Sequence, residues 1–63
     1  MTKLVDVEVT LKHTTELAYR VESHFTGETE WIPKSQCELK LKGITREGIL
    51  TLPENIASEK RLI

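Results

Sequence analysis

The segment Trp31-Ile32-Pro33-Lys34-Ser35-Gln36 organises the whole chain, since it holds the only Trp, one of two Pro residues and the junction between two strand-like halves. Pro33 has no backbone N–H to donate and biases Ile32 towards an extended conformation, so a strand should end there. Ser35 can then hydrogen-bond nearby backbone in a turn. We predict one turn of 3₁₀ helix over residues 33–36, with the Trp31 indole anchoring the core beside it.

Before this stretch, the sequence predicts three strands. Apolar and polar residues alternate over positions 5–12, which indicates a strand with one buried face. Leu17, Tyr19 and Val21, with Phe25 beyond them, continue the inward series on a second strand. Gly27 supplies the positive φ for a turn over residues 26–28, and residues 29–32 return as a third strand. Residues 17–32 therefore form a predicted hairpin.

After this stretch, two more strands and a helix are predicted. Cys37, Leu39 and Leu41 should face inwards on a fourth strand, and residues 49–52 form a fifth strand after a polar loop. Pro53 and the following Glu suit the start of a short helix over residues 53–60. The predicted fold is mainly β (α+β), a small antiparallel five-stranded roll or barrel with a short C-terminal helix, in one domain of residues 1–63.

Size and charge exclude several classes of protein. A chain of 63 residues buries only about 60% of the surface that its unfolded form exposes, so its core is small. The net charge of −1 and the pI near 6.1 show no excess of positive charge of the kind that strong nucleic-acid binding requires. No apolar run approaches a membrane span, and the first residues lead into a strand instead of a signal peptide. We expect a cytoplasmic protein with no membrane partner.

The sequence offers no catalytic, cofactor-binding or metal-binding set. Cys37 lies at an inward strand position, where a thiol behaves as a small inert hydrophobe. His13 and His24 are expected at exposed positions, and with one Cys they are too few for a closed zinc site. We therefore expect a protein that is not an enzyme and that needs no cofactor.

Two binding modes remain open. An exposed Trp31 could stack single-stranded bases, with Phe25 as a possible neighbour, and the contacts of this nucleic-acid alternative would be Tyr19, Trp31, Lys40 and Lys42. The acidic charge disfavours it. Protein binding through the acidic first strands or a free edge is the other mode, with Glu8, Glu22, Glu30 and Lys34 as its candidate contacts. A homodimer that covers an edge strand competes with both.

Parts of the last two-thirds of the chain resemble small, uncharacterised proteins of phages and mobile elements. The resemblance lies in residues 18–21, Gly27-Glu28, residues 31–36 with their W-I-P-K-S segment, and the ending Leu52-Pro53-Glu54, Ile56-Ala57, Glu59-Lys60 and Leu62-Ile63. Those relatives tend to carry a Trp where this chain has Asn55 and a Gly where it has Arg61. The resemblance therefore implies a different helix surface and C-terminal cap here.

The resemblance implies a phage or mobile-element context and no established activity. Small phage proteins often act by binding a host protein or nucleic acid. We therefore expect a non-enzymatic accessory protein that binds a host or phage protein, with inhibition of a host defence system or host enzyme as one outcome. The alternative is a single-strand-binding accessory of phage replication or recombination.

Overall fold

The computed structural model describes residues 3–63, which form five strands, one 3₁₀ turn and one helix. No helix in this described part of the chain has the length and apolar character needed to cross a membrane. The elements in chain order are β1 (Leu4–Thr14), β2 (Ala18–Ser23), β3 (Thr29–Pro33), the 3₁₀ turn η1 (Lys34–Gln36), β4 (Glu38–Leu41), β5 (Glu47–Pro53) and α1 (Glu54–Glu59).

The five strands form one antiparallel sheet in the order β3-β2-β1-β5-β4. Val9 of β1 is placed opposite Ser23 on one side and Gly48 on the other. Because neighbouring side chains on a strand point to opposite faces, this register separates an inner face from an outer face. The inner face carries the buried residues Val7, Val9, Leu11, Val21, Ile32, Leu50 and Leu52. The predicted fold class is confirmed.

The sheet is rolled but remains open. Strands β3 and β4 lie at opposite edges, and a flat sheet would hold their axes roughly 19 Å apart. The chain crosses from Pro33 to Glu38 through one 3₁₀ turn, and five extended residues reach at most about 18 Å. The edges must therefore curl towards each other. Within the described residues β3 and β4 are not hydrogen-bonded to each other, so the predicted roll or barrel is an open roll.

The C-terminal segment covers the inner face of the roll. Helix α1 contacts β1 and β5, and it buries Ala57 completely. Leu62 is also fully buried, while Ile56 packs against the core from its margin. A helix of six residues is unstable in isolation, so this packing holds it in place.

The helix ends in a left-handed residue. Arg61 has a φ of 60°, the backbone N–H of Arg61 donates to the carbonyl of Ser58, and the N–H of Leu62 donates to that of Ala57. This pair of bonds is the Schellman arrangement, in which glycine is the preferred residue at the left-handed position. The cap therefore has the shape that glycine favours although its residue is Arg.

The segment that joins the two halves folds as predicted except for its Trp. Strand β3 ends at Pro33 and the 3₁₀ turn follows. The prediction that Trp31 anchors the core is wrong, because its side chain is 42% exposed whereas Ile32 is fully buried. Only one of two successive strand residues can face inwards, and Ile32 takes that position opposite Tyr19.

Two other inward assignments are wrong. Leu17 is 79% exposed because it precedes β2 in the turn from β1, and Phe25 is 76% exposed because β2 ends two residues before it. Ser23 is the last inward residue of the strand and is buried. The turn prediction is confirmed, since Gly27 has a φ of 78°.

Candidate interaction surface

The outer face carries an aromatic and cationic cluster of Trp31, Arg20 and His13. Arg20 lies opposite Trp31 across the β2–β3 pair, and its guanidinium carbon is 6.0 Å from the indole centroid. The His13 ring meets the same indole edge-on, with 5.9 Å between centroids and an interplanar angle of 87°. Cation–π and edge-to-face contacts of this kind orient the indole while part of it stays in solvent. We call these three residues the Trp31 cluster.

A β-bulge places His13 in this cluster. The pairing of β1 with β2 shifts between Leu11 and His13, so Lys12 is the extra residue on β1. Without the bulge, period two would put His13 on the inner face in series with Leu11. With it, His13 lies opposite Arg20 on the outer face. The side chain is exposed, as expected.

Sequence reasoning missed Arg20 and His13 as functional candidates. The pairing of Arg20 with Trp31 could have been predicted from the sequence, because a hairpin turn at Gly27 fixes which residues of β2 and β3 lie opposite each other. The position of His13 on the outer face could not have been predicted, because no Gly or Pro marks the bulge in the sequence.

The acidic candidates Glu8 and Glu22 also lie on the outer face, but lysines accompany them. Lys12 Nζ is 3.3 Å from a carboxylate oxygen of Glu22, and Lys42 Nζ is 4.0 Å from one of Glu8. Both pairs are solvent-exposed, so each adds little stability. They nonetheless reduce the negative potential of this face, which is a mixed-charge surface instead of an acidic one.

The other two protein-binding candidates lie on the opposite side of the sheet. Glu30 is paired with Val21, an inner-face residue, so its side chain leaves β3 away from the Trp31 cluster. Lys34 follows β3, and its ammonium lies 5.0 Å from the centroid of the Tyr19 ring. The four candidates therefore do not form one surface.

The nucleic-acid candidates are also divided between the two faces. Tyr19 is opposite the buried Ile32 and packs at the margin of the core, while Trp31 points outwards. Lys40 and Lys42 follow the outer face at the other end of the strand order, and Lys42 faces Glu8. The cation over the indole is Arg20. No continuous platform of Tyr19 and Trp31 results.

A shallow groove lies where α1, the end of β5 and the 3₁₀ turn meet. Its volume is about 480 Å³, and its lining includes Leu4, Cys37, Leu52, Pro53 and Ile56. Cys37 is half-buried, and its thiol donates to the carbonyl of Pro33 at 3.4 Å. Burial raises the pKa of this thiol, which keeps it protonated and a poor nucleophile.

The ionisable groups of the described residues provide no metal-binding cluster. Among residues 3–63, no three His, Cys, Asp or Glu side chains are placed to hold a metal ion together. His24 is exposed, and its Nε2 is hydrogen-bonded to Thr10 Oγ1 at 2.6 Å. The expectations that the protein is not an enzyme and uses no cofactor stay predictions.

No family model matches this chain, and no curated protein or solved structure does. The similarity to phage and mobile-element proteins therefore stays an expectation from the sequence.

Proposed function

We propose that this chain is a non-enzymatic accessory protein of a phage or mobile element, and that it binds a host or phage protein through the Trp31 cluster. The observation that carries the proposal is the 42% exposed indole, oriented by Arg20 and His13 on the outer face of the sheet. Trp and Arg are the residue types most enriched among the few that dominate protein–protein binding energy.

The position of the Trp31 cluster on three paired strands supports this role. Its three residues come from three adjacent hydrogen-bonded strands, so their backbone positions are fixed before a partner arrives. A rigid site loses less conformational entropy on binding than a loop does. Burying the exposed part of the indole would remove apolar surface from water, and Arg20 could form a charge-assisted hydrogen bond to a partner carboxylate.

The charge pattern around the cluster indicates how Glu8 and Glu22 take part. Both are on the same face, and each has a lysine within 4.0 Å. Such exposed charges mainly affect association rate and the choice of partner instead of the final affinity. The proposed partner is a protein in the host cytoplasm, with a host defence component or host enzyme as the expected target and inhibition as the outcome.

The second candidate is binding of single-stranded nucleic acid. Trp31 favours it, because an exposed indole beside Arg20 can stack a base. The net charge of −1 and the position of Tyr19 on the opposite face disfavour nucleic-acid binding. One stacking residue with few free cations would give weak binding that falls steeply as salt rises.

A comparison of two exposed aromatic residues tests the proposal. Tagged wild-type protein should recover one dominant protein from host lysate, and Trp31→Ala or Arg20→Glu should abolish the recovery. Phe25→Ala is the matched control, because Phe25 is more exposed than Trp31 but lies beyond the end of β2. Equal recovery by Trp31→Ala and Phe25→Ala would rule out the Trp31 cluster as the site.

Fluorescence anisotropy with a labelled single-stranded oligonucleotide at low salt separates the second candidate. Binding that disappears in Trp31→Ala and weakens as salt rises would favour nucleic acid over protein. Unchanged anisotropy at high protein concentration would remove that candidate.

A further inference from the structure

The backbone N–H and C=O groups of successive β3 residues point alternately towards β2 and away from the sheet. The N–H of Lys34 donates to the carbonyl of Leu17, and the N–H of Ser23 donates to the carbonyl of Glu28. In an antiparallel ladder, hydrogen-bonded pairs alternate with pairs whose N–H and C=O groups point away. The even-numbered residues of β3 therefore bond to β2. The backbone groups of Thr29, Trp31 and Pro33 point away from the sheet.

We propose that a second copy of this chain pairs with this edge, antiparallel and with Trp31 on the two-fold axis. Trp31 would then exchange two backbone hydrogen bonds with Trp31 of the partner subunit. The N–H of Thr29 would donate to the carbonyl of the partner subunit's Pro33, and symmetry repeats this bond. Pro33 lacks an N–H, so the two Thr29 carbonyls alone would stay without a bond in this ladder.

The charges at the ends of β3 fit this pairing. The segment from 28 to 34 reads E-T-E-W-I-P-K, with an acid three residues before Trp31 and a lysine three residues after it. A two-fold axis at Trp31 places Glu28 opposite Lys34 of the partner subunit, and the symmetry gives this pair twice. Opposite charges directly across two strands stabilise the pair, and like charges destabilise it.

The other edge of the sheet is less suited to pairing. Strand β4 carries Lys40, and Lys42 follows it at once. Lysines on an edge strand are a common device against strand addition, since pairing would require their desolvation. Between Thr29 and Pro33 the β3 edge carries one charged residue, Glu30, and no lysine, and it presents the half-exposed indole. Pairing at β3 would cover apolar surface that a small domain leaves in water.

The consequence is a continuous sheet of two copies with their Trp31 clusters side by side. The directly opposed indoles would lie on the same outer face, next to both Arg20 side chains. The dimer forms from two copies of this chain and needs no other partner protein. Failure of the dimer and failure of partner binding are therefore separate results.

Sedimentation equilibrium and a charge exchange form the first test. Wild-type protein should show a concentration-dependent dimer, and Glu28→Lys should raise the dissociation constant by roughly tenfold or more, because two attractive pairs become repulsive. The double variant Glu28→Lys/Lys34→Glu should restore the dimer. A wild-type monomer at every concentration up to about 1 mM would overturn the proposal.

Disulfide trapping forms the second test and reports the register. In a Cys37→Ser background, a mixture of Glu28→Cys and Lys34→Cys proteins should form a mixed disulfide, because directly opposed non-hydrogen-bonded residues have Cα atoms about 4.5 Å apart. Each variant alone should not cross-link, since Glu28 of the two copies would be about 20 Å apart. Two results would show that another surface pairs. One is a dimer in which each Cys variant alone cross-links as readily as the mixture, and the other is a dissociation constant that the charge exchange leaves unchanged.

Discussion

The hydroxyl of Ser23 donates a 2.6 Å hydrogen bond to the backbone carbonyl of Leu62, which lies 39 residues later in the chain. The same oxygen accepts from the backbone N–H of Phe25 at 3.1 Å. Ser23 and Leu62 are both buried, so the Leu62 carbonyl has no access to water as an alternative partner. One hydroxyl thus joins the turn after β2 to the C-terminal segment that covers the inner face.

Replacement of this hydroxyl should destabilise the protein although it removes one atom. Ser23→Ala leaves the Leu62 carbonyl and the Phe25 N–H without their partner, and we expect a loss of about 1–3 kcal/mol in the free energy of unfolding. Urea unfolding followed by far-UV circular dichroism measures it. Ser58→Ala, at an exposed helix position, is the matched control and should change stability by less than about 0.5 kcal/mol.

The C-terminal cap should improve with glycine. Arg61 has a φ of 60°, which is unfavourable for a residue with a Cβ, so Arg61→Gly should stabilise the protein by about 0.4–1 kcal/mol. Arg61→Ala separates the backbone effect from the loss of charge and should give no gain. Thermal unfolding of wild type and the two variants measures the effect. Equal melting temperatures for the Gly and Ala variants would contradict a gain from the left-handed backbone conformation.

Gly48 is required by the close approach of β4. A Cβ at this position would overlap the carbonyl oxygen of Lys40 and lie 2.8 Å from the Cα of Leu41. Both atoms belong to backbone, so relief requires β4 to move, and Gly48→Ala should cost about 1–3 kcal/mol. Gly43→Asn is the control, since it has free space at φ 57° and Asn tolerates that conformation. Hydrogen exchange should accelerate in β4 for the Ala variant alone.

The sequence predicted the elements better than the direction of individual side chains. The alternation over residues 5–12, the turn at Gly27 and the strand end at Pro33 all have a local cause, and all three are found. The burial of Trp31 depended on which of two adjacent apolar residues faces inwards. The register between strands decides that, and Ile32 has the inward position.

The candidate surface could be predicted only in part. Trp31 and Glu22 were singled out, and both lie on the outer face. His13 reaches the indole through a bulge that no sequence signal marks, and the lysine partners of Glu8 and Glu22 come from other strands. These relationships depend on three-dimensional pairing, so residue type alone could not provide them.

The Cys37 thiol should make stability fall at high pH. Burial raises its pKa in the folded protein, so the unfolded chain releases this proton at a lower pH, near its usual value of about 8.5. The contribution of the protonated thiol is complete below that pH and is lost as the pH rises through the folded pKa. The stability difference between wild type and Cys37→Ser should therefore shift against wild type above about pH 8.5. A pH-independent difference would contradict this.

The two adjacent residues Trp31 and Ile32 should differ in what their removal costs. Ile32 is fully buried, so Ile32→Ala should lose about 2–5 kcal/mol through lost transfer free energy and a residual cavity. Trp31 keeps 42% of its surface exposed and packs against Arg20 and His13 on the outer face, so Trp31→Ala should cost less than about 2 kcal/mol. Denaturant unfolding at a concentration where the protein is monomeric measures both without a contribution from strand pairing. A larger loss for Trp31→Ala than for Ile32→Ala would mean that the indole stabilises the fold itself, and a partner-binding defect in that variant would then be explained by unfolding.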